Sequence, residues 1–288
     1  MRSYLPAAVL AATLIAPAAA LAQGAQKPAE FAPHRAVYDV TLARSAPGSG
    51  VSEMTGRMVY ELSGSSCEGW TQNMRFVTRM TNQEGAQQLS DLRTSSWEEA
   101  KGRRLRFNST QLRDDAPPDA TQGDAARSAD GSSVEVDLEK PEKKRFRIAG
   151  SVYFPIQHSM ALVAAARAGR TSFAADLYDG AEKGDKVNPT HAVIGAPMKP
   201  GPMKSAASVK NADKLDALAS WPVAISYFEP GNERKDSPPS YELAFRFYEN
   251  GVSTRLRIDY GEFAINGELS ELTFLEPARC GDASGEKH

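Results

Sequence analysis

Residues that announce chemistry most directly are scarce in this 288-residue sequence. Only four histidines are present, and His34, His158, His191 and His288 each lack a second His, Cys or carboxylate at ligand spacing. That argues against a zinc site. Gly-x-Ser-x-Gly and His-Glu-x-x-His are absent, so these hydrolase signatures are missing. Ser159 does follow His158, but neighbours on a helix point about 100° apart. Charge of one sign is lacking too. With a formal net charge of -2, no basic field exists to hold nucleic acid or an anionic membrane surface. Beyond the N-terminus no apolar run approaches a membrane-spanning length, and no repeat of fixed period occurs.

The N-terminus itself is distinctive. Residues 1–22 carry one early positive charge, Arg2, an apolar stretch from Ala7 to Ala16 and the small-residue exit Ala20-Leu21-Ala22. This is the pattern of an export signal cleaved after Ala22, which places the mature protein in the periplasm. The next residue is Gln23, not cysteine, which argues against a lipid anchor. Cysteine is rare, with one near each end of the mature chain: Cys67 and Cys280. Export delivers them to an oxidising compartment, where an isolated pair of thiols is expected to join.

Between the cysteines the dominant period is two. Ala36, Tyr38, Val40 and Leu42 alternate with Arg35, Asp39 and Thr41. Met54, Met58, Tyr60 and Leu62 alternate with Glu53, Thr55, Arg57 and Glu61, and Trp70, Met74, Phe76 and Met80 with Thr71, Asn73, Arg75 and Arg79. Such segments read as an antiparallel meander, apolar on one face and wet on the other. Residues 87–98 and 103–112 continue it less cleanly, and 113–131 reads as a polar loop. Short strands follow near Val134–Leu138 and Phe146–Ile148. Residues 155–168 then break the period: Pro155 opens an alanine-rich stretch that Gly169 stops, the one convincing helix. Strands are expected again at Phe173–Leu177 and His191–Ile194. Residues 195–210 read as an exposed loop, and Asp213 as the cap of a helical turn reaching Ala219. Tyr241–Phe247 and Val252–Tyr260 flank Asn250-Gly251, the favoured type I′ hairpin signal. A last strand runs from Phe263 to Leu275. The expected architecture is mainly β: about a dozen antiparallel strands whose single apolar face must close on itself or cover the helix. The expected division is a leader (1–22), a flexible lead-in (23–33), one β domain (34–280) and a disordered tail (281–288).

Two charged segments hold other chemistry in view. Asp176, Asp179, Glu182 and Asp185 could form a calcium loop, but their order does not match an EF-hand, and Lys183 and Lys186 oppose it. A glycine-rich hairpin with solvated charges is the plainer reading. Arg103, Arg104 and Arg106, with Lys140, Lys143, Lys144, Arg145 and Arg147, read as solvated strand faces, with anion or partner binding as the alternative. No catalytic, metal-binding or cofactor residues are assigned.

Several short motifs together carry a family resemblance. They are His34-Arg35-Ala36-Val37-Tyr38-Asp39, Cys67-Glu68-Gly69-Trp70, Phe154-Pro155-Ile156-Gln157-His158, and Tyr178-Asp179-Gly180 with Ala192-Val193-Ile194-Gly195. The run from Phe247 to Val252 and the triplet Asp259-Tyr260-Gly261 complete the set. In this order the chain resembles the EipB-like family of periplasmic cell-envelope integrity proteins from alphaproteobacteria. The resemblance implies an antiparallel sheet coiled into a spiral or open barrel, loosely similar to lipoprotein carriers, with Cys67 and Cys280 as the family's disulfide pair. It also implies a role in envelope maintenance with no established enzyme activity. The inward Met54, Met58, Trp70, Met74 and Phe76, with Met80, then suggest a concave apolar face for a lipid, an acyl chain or an envelope partner protein. The alternatives are that they fill the core, or that the protein is an envelope hydrolase acting on cell-wall or lipid material.

Overall fold

The computed structural model describes residues 30–114, 116–201, 209–231, 237–278 and 280. The leader, lead-in residues 23–29 and the tail expected at 281–288 lie outside them. Eight strands come first: β1 (His34–Ser45), β2 (Glu53–Ser65), β3 (Gly69–Thr81), β4 (Gln87–Glu98), β5 (Arg104–Arg113), β6 (Asp119–Arg127), β7 (Ser133–Lys140) and β8 (Lys144–Ala149). Helix α1 (Pro155–Arg167) follows, then β9 (Ser172–Leu177), β10 (Asn188–Ile194), β11 (Ser220–Tyr227), β12 (Tyr241–Tyr248), β13 (Ser253–Asp259) and β14 (Phe263–Phe274). All fourteen strands form one sheet, ordered β8-β7-β6-β5-β4-β3-β2-β1-β14-β13-β12-β11-β10-β9.

The first and last strands therefore pair at the centre, and two arms run outward to the edges β8 and β9. Those edges come back together. Tyr153, just past β8, donates its N–H to Asp176 O (2.7 Å) and accepts from Tyr178 N (2.9 Å) at the end of β9. The sheet is thus coiled, as the one-sided alternation requires. Its outer face is laced with cross-strand pairs, Arg57–Asp39, Arg106–Asp124, Arg145–Asp137, Arg147–Glu135 and Arg75–Asp91, and Arg93 joins Asp91 from along the same strand. Hydrogen bonds from Arg93 and Arg75 hold the Asp91 carboxyl down to about 2. Arg106, Arg145 and Arg147 of the basic runs are spent here, in exposed pairs of little individual worth.

Helix α1 lies against the inner face. Leu162, Val163, Ala165 and Ala166 cluster with Leu62, Trp70, Ile194, Trp221, Val223 and Phe247. Its N-terminus is seated on a buried carboxylate from the end of β4. Glu98 accepts Ile156 N at 2.7 Å and Gln157 N at 3.0 Å, satisfying two of the free first-turn amides. Burial nevertheless pushes Glu98 up to about 7, against the pull of those amides and of Arg127. A folded-state value above the unfolded one means the protonated form favours the fold. This contribution is full below the ordinary carboxylate range and is lost as pH rises through about 7. His158, buried against Thr190 (3.1 Å), is pushed down to about 4, so its contribution runs the other way and is lost as pH falls below the ordinary imidazole range. We expect Glu98→Gln to expose the His158 trend. Between pH 4.5 and 7 the stability of wild type relative to Glu98→Gln should fall by on the order of 3 kcal/mol. Urea titrations at several pH values measure it, and a difference that grows with pH would show the helix amides prevailing.

Four expectations need correction. The loop expected at 113–131 contains β6. Its inward residues Thr121, Gly123 and Ala125 are small, and at Gly123 the flanking strands take the room: a Cβ there would sit 2.7 Å from the ring of its β5 partner Phe107 and 3.0 Å from its β7 partner Leu138. Large apolar side chains, the usual sign of a strand, have no room there. The Asn250-Gly251 turn is not type I′, because only Gly251 has positive φ (86°). Tyr248 O accepts Gly251 N and Tyr248 N donates to Val252 O, a three-residue loop with Gly as the bulge. Asp213 does not cap its turn. The short 3₁₀ segment Ala212–Leu215 begins after left-handed Asn211, whose amide instead donates to Leu272 O. Finally, the end of the lead-in is not loose. Phe31 is 4% exposed, and Ala32 N bonds Asn250 O.

Candidate functional site

Alternation puts Met58, Tyr60, Met74 and Phe76 on the inner face of β2 and β3, where Met58 pairs with Phe76 and Tyr60 with Met74. On β11, β12 and β13 the register joins Tyr227 to Tyr241 and Leu243 to Ile258, and Ile258 packs on the same small cluster as Met58 and Phe76. The two ends of this interior differ. At the rim that carries the β2–β3 turn, α1 and Phe31 fill the space and leave Leu62, Trp70, Trp221 and Phe247 buried. At the opposite rim a smaller cluster of Val40, Val51, Met54 and Ile265 forms a floor beneath one side only, that of β1, β2 and β14. Met58, Phe76, Met80, Ile258 and Phe263 pack on that floor but are only half-buried. Cys67 in the β2–β3 turn is bonded to Cys280 beyond β14, with both residues exposed.

Tyrosines mark the space between the walls. Burial pushes the Tyr60 hydroxyl up to about 12, and burial together with Asp179 pushes Tyr227 and Tyr241 up further. Yet all three side chains keep solvent-accessible surface. Crowded by protein yet keeping exposed surface, they line the concave inner face of the coiled sheet. Tyr227 and Tyr241 stack at 4.4 Å, Tyr241 and Tyr260 are 6.2 Å apart, and Tyr260 and Phe263 4.9 Å. The other wall is polar: Gln72, Thr94, Ser96 and Ser109 are half-buried at inward register positions of β3, β4 and β5, with Gln72 donating to the Tyr60 hydroxyl at 2.8 Å. The concavity is therefore amphipathic: methionine and aromatic on one side, hydroxyl and amide on the other.

Of the residues singled out from sequence, Met58, Met74 and Phe76 face this cavity half-buried, as does Met80. Met54 is buried in its floor, and Trp70 belongs to the helix-packed core. The charged loop after β9 is spent on structure. Asp185 pairs with Lys144, and Lys186 with Glu182 and Glu229. Gly180 lies on Phe107 and Gly184 on Leu138, so the loop covers the inner face of β5–β7. Among the described residues no group of three or more His, Cys, Asp or Glu could hold a metal. His158 meets Thr190, which in turn donates to Ala175 O (2.7 Å); among the described residues no carboxylate is bonded to His158 to complete a triad. Sequence reasoning missed Tyr227, Tyr241, Tyr260 and Asp179 as one group. Tyr241 and Tyr260 were legible as inward residues at two strand ends, but the topology alone brings Tyr227 and the loop carboxylate to them.

Known proteins share this construction. A profile of the family described as EipB-like matches residues 25–276. The chain is 36% identical over 258 residues to the cell envelope integrity protein EipB of Brucella abortus, covering 90% of this chain and 89% of that one. A crystal structure of a beta-barrel-like protein of unknown function from Brucella abortus superposes with a TM-score of 0.77 at 35% identity. The match covers 86% of this chain and all of that one.

Proposed function

The chain belongs to the EipB-like family, and from that premise we propose that it is an exported, non-enzymatic protein that supports envelope integrity by holding an amphiphile in its cavity. The name of the Brucella relative and the disulfide support an envelope setting, and the pattern of residues 1–22 supports cleavage after Ala22 and a periplasmic location. The observation that carries the binding reading is the half-buried wall of Met58, Phe76, Ile258 and Phe263, which continues through Tyr260 into tyrosines that keep exposed surface. An alkyl chain laid along that wall removes apolar area from water. About 200 Å² would supply roughly 5 kcal/mol before ordering costs. Methionine suits such a wall because it adapts to irregular occupants.

The test uses the processed chain from a periplasmic extract, whose intact mass should begin at Gln23. Titrated with a dansylated undecyl chain, it should bind with a Kd below about 100 μM. Met58→Gln should weaken binding several-fold, whereas Val193→Ser, at an outward position 55% exposed, should not. A wild-type protein that shows no saturable binding in this range would remove the cavity reading and leave the family role to surface contacts.

A further inference from the structure

Resting on the cavity reading, we infer that the mouth is built for an amphiphile with a positively charged head, an alkylammonium, and against carboxylate or phosphate heads. Three observations carry this. The stacked pair Tyr227–Tyr241 continues through Tyr260 to Phe263, a line of four rings along one side of the mouth. Ring faces are electron-rich and attract a cation once water is displaced. Second, the loop after β9 holds Asp179 at this end, its Oδ1 fixed by Ala181 N at 2.9 Å. It is near enough to Tyr227 and Tyr241 for its charge to act on both hydroxyls.

Third, Asp179 has no ion-pair partner among the described residues: Lys183 of its own loop is exposed to solvent, and the other cations nearby are already paired. Lys186 lies 2.8 Å from Glu182 and 2.9 Å from Glu229, and Lys144 lies 2.9 Å from Asp185. At the same rim Arg113 is bound to Asp119, and Arg44 to Asp259. Burial pushes the Asp179 carboxyl up, with Glu182 adding to the push and Lys186 opposing it. A cation placed here would gain both the carboxylate and the ring faces, whereas an anionic head would meet like charge.

The experiment compares three ligands of one chain length against the processed protein by calorimetry below their micelle concentrations: dodecyltrimethylammonium, dodecyl maltoside and laurate. The ammonium should bind about ten-fold tighter than laurate, with the maltoside between. Asp179→Asn keeps an acceptor for Ala181 N–H, so the loop should stay in place. It should bring the ammonium down to the maltoside's affinity and leave the maltoside unchanged. Tyr241→Leu should weaken the ammonium most. Laurate binding as tightly as the ammonium, or Asp179→Asn leaving the ammonium's affinity unchanged, overturns the head-group inference while the cavity stands. No binding by any of the three removes the cavity reading itself. The wild-type ranking decides the matter even if a variant fails to fold.

Discussion

Reduction of the Cys67–Cys280 bond, or Cys67→Ser, should lower the unfolding free energy by up to about 5 kcal/mol. The bond closes a loop with a sequence separation of 213 residues. Loop-closure entropy removed from the unfolded chain grows with loop length, which makes this the largest single effect expected of any one change here. In the folded state the bond adds little that pairing lacks. It ties the β2–β3 turn to the chain beyond β14, and β1 already pairs with both β2 and β14. Both cysteines are exposed, so a reductant reaches the sulfurs without unfolding the core. Denaturant curves with and without dithiothreitol measure the effect. The reduced protein should keep its far-UV spectrum and lose midpoint, and coincident curves would show that the unfolded chain gains no freedom from the open loop.

Phe31→Ala should cost about 3–5 kcal/mol, the range for a fully buried aromatic ring. Phe31 lies outside every strand, yet its ring meets Trp70 at 6.4 Å and Phe247 at 6.1 Å, edge to face in both cases. It also lies over Gly251, where a Cβ would approach the ring to 2.8 Å. The ring thus joins the start of β3, the end of β12 and the β12–β13 turn at the rim that α1 fills. Phe31→Leu should recover much of the loss, because it keeps apolar volume without the edge contacts. Thermal melts of both variants, with Leu89→Ala as an exposed control, check the ordering. A Phe31→Ala protein as stable as the control would mean that the segment before β1 is only laid on the surface.

Local pattern was sufficient for much of this. The alternation along β1, β2, β3, β12, β13 and β14 was legible because each strand has one buried and one solvated face, so inward and outward residues differ in kind. Pro155, the alanines and Gly169 bounded α1 because those preferences act within a turn or two of chain. Where both faces of a strand carry small or polar residues, the pattern fails. β6 went unread because its inward positions must be small to admit Phe107 and Leu138. β11 went unread because Pro222, a residue that argues against a strand, stands near its start, although the strand runs on through it in unbroken register with β12.

The cavity was legible only in half. Inward methionines and aromatics can be counted from alternation, but whether they fill a core or face water depends on how far the coil closes. That was decided by long-range contacts: α1 seated on Glu98, Phe31 on Trp70, and the loop after β9 laid over β5–β7. Met58 and Trp70 carry the same sequence signal, and one lines a water-reached wall while the other is sealed under a helix. A strand's own residues determine which way its side chains point, because the pleat alternates. What stands opposite them is set by distant chain, as Glu98 lies 58 residues from Ile156, and no local preference encodes it.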